Sequence, residues 1–509
     1  MPEVEKLREA VLYALNSGCQ VSPDALRALR ELPEEKDPLE VMKEAVEKVK
    51  QDSRFLVEEE DIRSCLPSKP DAVVEDLGWG KASLKAPARE VEAEVEVLMD
   101  PTSEIGSEGS FEEFLDYFRS RFKKLSDLLR RRMDARGALR VSEALRVGSG
   151  AEVKIIGMVR ERREGIGKLI VVLEDEEASA TVVFTPKMSD EAYEKARRLM
   201  PDQVICVEAV KRGKDLFLAK ELVGPDVPAR REARRGVDGP LYAVLISDLH
   251  YGSKSFMEEE LKRFLRWLNG DLGNSSLREV AGAVKYVVVA GDLVDGIGVY
   301  PGQEKELAIT DIYRQYEGIA SLLSELPDHL EVILIPGNHD ACRRALPQPS
   351  IPKEYAEPLY EDPRTHLLGN PCLISLHGIR FLIYHGNSFD DLVSTVPGLS
   401  FDDPVGMMKL MLWARHLAPI YGMKTPLAPM PQDLLVIEEV PDVFHTGHVH
   451  ITAQGSYRGI LLINSGAWQT QTAYQMSRGI KPTPGRAVLL DLSSLRTAEL
   501  DFTRPDPWA

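Results

Sequence analysis

The residues best suited to chemistry fall in five short segments of the second half of this 509-residue chain. They are Asp248-Leu249-His250, Gly291-Asp292-Leu293-Val294-Asp295, Gly337-Asn338-His339-Asp340, His385-Gly386-Asn387 and Gly447-His448-Val449-His450. Most of them follow directly on a run of apolar, β-branched residues. A strand ending in a carboxylate or imidazole delivers that group to the same rim of a sheet as its neighbours, where open α/β sheets build their sites. Asp, His and Asn are mixed oxygen and nitrogen donors suited to Mn, Fe or Zn, and cysteine is missing from all five segments.

Divalent ions that activate water for phosphate chemistry often come in pairs about 3.5 to 4 Å apart. Such a pair needs a shared carboxylate, and Asp292 is the candidate bridge. Asp248 and His250 lie two apart, which on an extended segment sends both side chains to one face and lets them hold one ion together. His448 and His450 repeat that spacing. Asn338 supplies an amide oxygen and His385 a further nitrogen. His339 follows Asn338 directly, which turns it toward the substrate side, where it can protonate a leaving oxygen or stabilise a charged transition state. Asp340 is expected to hold the His339 tautomer. Asp295 is expected to line the site or form hydrogen bonds, not to ligate. One Asp-x-His alone means little; five such segments in order, most after an apolar strand, make a two-metal site the expectation. His329, His366 and His377 have no metal-like company, and His416 and His445 read as structural.

The elements that must position these groups are α/β. From Leu241 onward strands at 243–247, 286–290 and 332–335 alternate with helices near 256–268 and 305–326, and further strands fall at 380–384, 443–445, 460–463 and 487–492. This predicts layered α/β with a buried sheet over residues 241–509. Upstream, five short strands within 141–227, with a helix (Ser189 to Leu199) after the third, match the layout of an OB-fold β-barrel. Only Phe184 and Phe217 could stack on bases there, so the barrel is expected to dock protein or guide DNA weakly rather than grip a single strand. Residues 111–140 form a basic amphipathic helix, with Phe111, Phe114, Phe118, Phe122, Leu125 and Leu129 on one stripe and Arg119, Arg121 and Lys124 among them. Its plain reading is a solvated basic face on a packing helix, able at most to touch phosphates. Residues 228–240, with Arg230, Arg231, Arg234 and Arg235, read as a basic linker. Residues 67–110 read as a flexible linker rich in Pro, Gly, Ser and acids. Residues 1–66 read as a small helical domain with stripes at Leu7, Val11, Leu12 and Leu15 and at Val41, Ala45 and Val49.

A chain this long exceeds one hydrophobic core, in keeping with several domains. Its 43% hydrophobic and 28% charged content is ordinary for a globular protein. The formal net charge of -18 argues against a uniformly basic coat for nucleic acid, though not against local basic patches. The five cysteines show no CxxC spacing, so no zinc ribbon or disulfide framework is expected. No segment approaches the roughly 20 apolar residues of a membrane span, and the first residues lack signal-peptide character, so a cytoplasmic protein without a membrane partner is expected.

Together the five segments resemble the calcineurin-like metallophosphoesterase superfamily, whose motifs D-x-H, G-D-x-x-D, G-N-H-[D/E], H and G-H-x-H coincide with them over about residues 241 to 495. A barrel ahead of such a domain resembles the small subunits of archaeal family D DNA polymerases and the B subunits of eukaryotic replicative polymerases. The stretches 385–391, 415–422 and 440–450 are similar to the archaeal proteins in particular. The resemblance implies one ion on Asp248, His250, Asp292 and His450 and a second on Asp292, Asn338, His385 and His448, with His339 as catalytic acid. It implies two divalent ions, usually manganese, 3′-5′ exonuclease proofreading on single-stranded or frayed DNA ends, and a large catalytic polymerase subunit as partner. In the eukaryotic relatives the ligands have decayed and the domain is a scaffold, which is the alternative function. A phosphoprotein phosphatase would show Gly-Asp-x-Val-Asp-Arg-Gly and Gly-Asn-His-Glu, whereas Gly296 follows Asp295 here and Asp340 replaces Glu.

Overall fold

The computed structural model describes residues 87–104, 106–229, 237 and 239–504, and of the N-terminal part residues 2–17, 19–22, 25, 26, 29, 37–51, 56, 57 and 62. The chain divides into two compact units, Met1–Trp79 and Gly80–Ala509. In the first, helices Pro2–Asn16 and Pro38–Gln51 bury Ala10 and Ala14 with Val41, Met42, Ala45 and Val49. The buried stripe of the first helix therefore runs through its alanines, which allow close approach, and the expected stripe members Leu12 and Leu15 are exposed.

The second unit begins with a correction. Residues 95–99, expected within a flexible linker, form strand β1 (Val95–Met99), which pairs antiparallel with residues 372–376. Most of the remaining expected linker, and the arginines 230–235, lie outside the described residues. Helix α1 (Phe111–Arg130) follows, started by Ser110 in a capping box with Glu113. Next comes a five-stranded barrel: β2 (Glu152–Gly165), β3 (Lys168–Glu174), β4 (Ser179–Phe184), β5 (Val204–Lys211) and β6 (Leu216–Val223), with a helix at Asp190–Arg197 after the third strand. The order β2-β3-β4-β6-β5 closes through the antiparallel β2 to β5 pairing. Phe184 and Phe217 are fully buried in the barrel core and present no ring to a ligand.

Residues 242–501, with β1, build two six-stranded sheets where one buried sheet was expected. The first has the order β10-β9-β8-β7-β16-β17, built from β7 (Tyr242–Ile246), β8 (Val284–Ala290), β9 (Glu331–Ile335), β10 (Thr365–Leu367), β16 (Arg486–Asp491) and β17 (Thr497–Asp501). Its first four strands run parallel, joined by crossovers that carry the helices Glu258–Leu268 and Ile312–Ser324. The second has the order β14-β15-β13-β12-β11-β1, built from β11 (Cys372–Leu376), β12 (Ile379–Ile383), β13 (Val443–Thr446), β14 (Ala453–Tyr457) and β15 (Ile460–Asn464), and β12, β13 and β15 run parallel. Alternate residues of the two sheets share one core: Ala243, Leu245, Val288 and Ile333 lie with Ile374, Phe381, Ile383 and Ile463. Every residue of β7 and β8 is buried, which explains their unbroken apolar runs.

Helix α1 ties the barrel to this body. Phe122, Leu125 and Leu129 pack with Ile156, Met158, Val204 and Cys206 of the barrel and with Val436. Arg121, read from sequence as part of a solvated basic face, is fully buried: its guanidinium donates to Asp433 (2.7 Å), the Pro419 carbonyl (2.7 Å) and the Tyr117 hydroxyl (3.1 Å). His416 joins the cluster. It lies 2.9 Å from the Asp433 carboxylate through Nε2 and accepts the Ala418 N–H at Nδ1 (3.0 Å), an arrangement that suits the neutral ring. Against burial, which alone would raise it, His416 and Arg121 hold the Asp433 carboxyl below its usual range.

Burial, with Arg121 nearby, pulls the His416 pKa down to about 4. In the unfolded chain the ring protonates near ~6.5. Between those values the unfolded state binds the extra proton, so stability falls as pH falls through that window. Melting temperature is expected to drop across this range in the natural protein and to drop less in His416→Gln; an identical slope in both would assign the titration to other groups.

Candidate metal centre

All five chemical segments emerge at the C-terminal ends of parallel strands, three from the first sheet and two from the second. Asp248 and His250 follow β7, Asp292 follows β8, and Asn338 and His339 follow β9; His385 follows β12, and His448 and His450 follow β13. Backbone hydrogen bonds tie the loops together: the Asp248 N–H donates to the Gly291 carbonyl (2.9 Å), that of His250 to Asp292 (3.0 Å), and that of Gly447 to His385 (2.9 Å). Asp248, His250, Asp292, His448 and His450 all adopt left-handed φ values, between 51° and 72°. Non-glycine residues avoid that region unless the surroundings impose it, and such strain gathers at functional sites. The expected extended geometry of the two x-His pairs is therefore absent.

The donor atoms nevertheless converge. His250 Nε2 lies 3.1 Å from His450 Nε2, 3.9 Å from Asp248 Oδ1 and 3.8 Å from Asp292 Oδ2, and His450 Nε2 lies 3.4 Å from Asp248 Oδ1. Beside this group, His385 Nε2 lies 3.2 Å from Asp292 Oδ2 and 3.1 Å from Asn338 Oδ1, which is itself 2.9 Å from His448 Nδ1. Asp292 thus stands between two clusters. His448 and His450 belong one to each, because the turn between them sends the two rings apart.

Residues 243–452 match the DNA polymerase alpha/epsilon B-subunit family. The DNA polymerase II small subunit of Methanothermobacter thermautotrophicus is 40% identical over 496 residues, 97% of this chain and 100% of that one. Its counterpart in Archaeoglobus fulgidus is 44% identical over 78% of each chain. The chain belongs to the DNA polymerase II small-subunit family. The Pyrococcus horikoshii small subunit is 43% identical over 78% of this chain, but the match spans only 64% of that relative's length, under two thirds. Among solved structures, an archaeal phosphodiesterase overlaps 51% of the chain at 14% identity with a TM-score of 0.27, a likeness too slight to bear on function.

In this member of the small-subunit family three of the four clustered histidines are also held from behind by an acceptor, the arrangement that fixes ring orientation in metal sites, while His450 faces an amide nitrogen. His250 Nδ1 meets Asp295 Oδ1 (3.1 Å), His385 Nδ1 the Ala290 carbonyl (2.7 Å), His448 Nε2 Asp390 Oδ2 (2.9 Å) and His450 Nδ1 Gln475 Nε2 (2.8 Å). Asp295 has the hydrogen-bonding role expected of it. Asp390 and Gln475 escaped sequence reasoning. Asp390 lies five residues after His385, a spacing that a closer reading of that segment would have flagged; Gln475 lies far outside any motif and left no signal.

His339 stands over the first cluster, its ring centroid 4.6 Å from that of His250, and its Nδ1 donates to the Asp295 carbonyl (2.8 Å). That leaves Nε2 for other partners. Asp340 does not hold this ring, which corrects the expectation. Its carboxylate turns inward, accepting from the Gly337 N–H (2.8 Å), the Leu293 N–H (3.2 Å) and the Tyr316 hydroxyl (3.1 Å). Neighbouring side chains in a turn diverge, and Asp340 staples the β8 and β9 loops. Burial, then the Asp292 charge, raises its pKa to about 6.

The donor set fits divalent cations. Asp248, Asp292, Asp295 and Asp340 are all buried in one neighbourhood, a costly concentration of carboxylates without cations. Burial alone would raise the Asp292 pKa, but the His385, His339 and His250 rings hold it well below its usual value. Against burial, Asp292 holds the His385 imidazole up at about 9, so positive charge is favoured where the second cluster gathers. Gly337 makes this packing possible: a Cβ there would collide with Asp292 Oδ1. Gly337→Ala is expected to cost about 1–3 kcal/mol through overpacking and to weaken divalent-ion binding together with it, checked by urea unfolding and by calorimetric Mn2+ titration. Unaltered Mn2+ binding in that variant would separate the glycine from the site.

Proposed function

We propose that this small subunit is a metal-dependent 3′-5′ DNA exonuclease that proofreads for a replicative polymerase in complex with its large catalytic subunit. In this reading an α/β metallophosphoesterase domain over residues 241–509 follows an OB-fold domain over 141–227 and a helical N-terminal domain. The observation that carries it is the convergence of seven donor side chains in two clusters that share Asp292, three of the four clustered imidazoles being braced from behind by an acceptor. Asp248, His250, Asp292 and His450 would hold one ion, and Asp292, Asn338, His385 and His448 the other. Mn2+ suits these mixed oxygen and nitrogen donors, with Fe or Zn as alternatives. When bound, such ions supply an activated water and charge neutralisation at the phosphate.

The chain's own residues do the rest. His339, anchored through Nδ1, keeps Nε2 available to carry a proton to the leaving 3′ oxygen or to meet charge on the phosphate. Asp295 braces both His250 through its carboxylate and His339 through its carbonyl, so ligand and acid are placed by one residue. A catalytically silent scaffold, the second reading, gives no reason for burying the Asp248 and Asp292 carboxylates side by side among four imidazoles.

A digestion assay on 3′-mismatched primers with Mn2+, using the chain alone and with the large subunit, tests the proposal. His339→Ala is expected to slow hydrolysis by about 10²–10⁴-fold while leaving Mn2+ binding intact. A natural protein that binds no Mn2+ and digests nothing, with or without its partner, establishes the scaffold instead.

A further inference from the structure

The space over the clusters has two unlike flanks. A cavity of 560 Å³ contains His250, His339, His448 and His450 and continues past them onto Tyr300, Pro301, Phe401, Val449 and Ile480. None of these five is a metal donor. A neighbouring recess of 280 Å³ shares Asn338, Asp390 and His448 but is lined by Arg344 and Lys424. One flank is thus apolar and aromatic; the adjoining recess, which shares Val299 and His448 with it, carries Arg344, whose guanidinium donates to the Val299 carbonyl (2.9 Å), and Lys424, which pairs with Asp390 (3.2 Å).

Tyr300 is the most telling residue of the apolar flank. Its ring centroid lies 6.3 Å from that of His339, and its hydroxyl donates to the Glu306 carboxylate (2.9 Å), which pins the ring in place. It remains 36% exposed, so it presents an aromatic face to the cavity instead of filling a core. Val449 and Ile480 are buried beside the same space. An apolar wall with a fixed aromatic ring, adjoining a recess that holds an arginine and a lysine, matches the two parts of a nucleotide: base on the apolar wall, phosphate toward the recess. The volume falls in the range that sites for single small molecules occupy, roughly 300–1,000 Å³.

We infer that the Tyr300, Phe401, Val449 and Ile480 flank receives the base of the 3′-terminal nucleotide, stacked on Tyr300, so that only an unpaired end reaches the metal centre; this rests on the nuclease reading above. A terminal base must leave its partner to enter, and that cost is least for a mismatched end. Selection then comes from ease of fraying and not from reading the base, since every base offers a π face.

The test uses the full chain and single strands whose last linkage is a phosphorothioate to slow cleavage, with 5-iododeoxyuridine placed either at the 3′ end or three positions inward. Photo-crosslinks mapped by mass spectrometry are expected at Tyr300 or Phe401 from the terminal probe, with a much lower yield from the inner one. In parallel, Tyr300→Ala is expected to raise KM for single-stranded ends about tenfold, while Tyr300→Phe, which keeps the stacking face but loses the bond to Glu306, is expected to raise it by less. Crosslinks elsewhere, equal yields from both probes, or an unchanged KM in Tyr300→Ala each overturn the base pocket. If the chain digests no DNA with Mn2+, the nuclease reading fails, and the crosslinking arm still decides the pocket by itself.

Discussion

Asp292→Asn is expected to bring DNA hydrolysis below detection and to weaken Mn2+ binding by at least about 100-fold, the upper end of what losing a mere supporting partner costs. Asparagine keeps the shape and one oxygen, so the hydrogen bond from the His339 N–H to Oδ1, 2.8 Å long, can persist and the loops can stay in place. What disappears is the negative charge shared by both clusters, between His250 on one side and His385 on the other. If the proposed site binds Mn2+, the natural protein at a concentration 100 times the dissociation constant is expected to gain about 2.7 kcal/mol of stability by mass action. The variant is expected to gain almost none, so a thermal melt with and without Mn2+ reports the same loss independently of catalysis. Hydrolysis at the natural rate in Asp292→Asn would show that no pair of ions depends on this residue.

Arg121→Ala is expected to lower the unfolding free energy by about 3–5 kcal/mol, read from the urea midpoint. The pair it forms with Asp433 is fully buried, and deletion leaves the carboxylate with His416 while the Pro419 carbonyl loses its donor. Arg121→Lys is expected to recover only part of the loss, because one ammonium cannot reach the three acceptors that the guanidinium fork reaches. A change in either variant within ~0.5 kcal/mol of the natural protein, the range of ordinary surface substitutions, would mean that the cluster contributes no stability.

The chemical groups were legible because each belongs to a short local pattern at the end of an apolar strand, and strand ends of a layered α/β structure gather at one rim. The five-stranded barrel was legible for the same local reason. What local patterns cannot encode is direction and distance. Asp340 follows His339 immediately, yet its side chain turns the other way, because its best acceptor geometry lies toward the backbone of residues 293 and 337. Asp248 and His250 reach one cluster through left-handed backbone, which no alternation rule anticipates. Arg121 looks like any surface arginine until Asp433, 312 residues away, is folded against it. Strand β1 was missed because Val95 to Met99, with exposed Glu96 and Val97, resembles a strand only once Cys372 to Leu376 is beside it.

That strand has a practical consequence. A fragment trimmed to begin at Leu241 would carry every proposed ligand yet lose the hydrogen-bonded edge along residues 373–376 and the apolar cover of Ala88, Val91 and Val95. The bared edge would be open to pairing with other copies and to clumping. The smallest self-sufficient fragment that carries the donor clusters is therefore not a C-terminal half; it must reach back ahead of residue 88, across the barrel it was meant to discard.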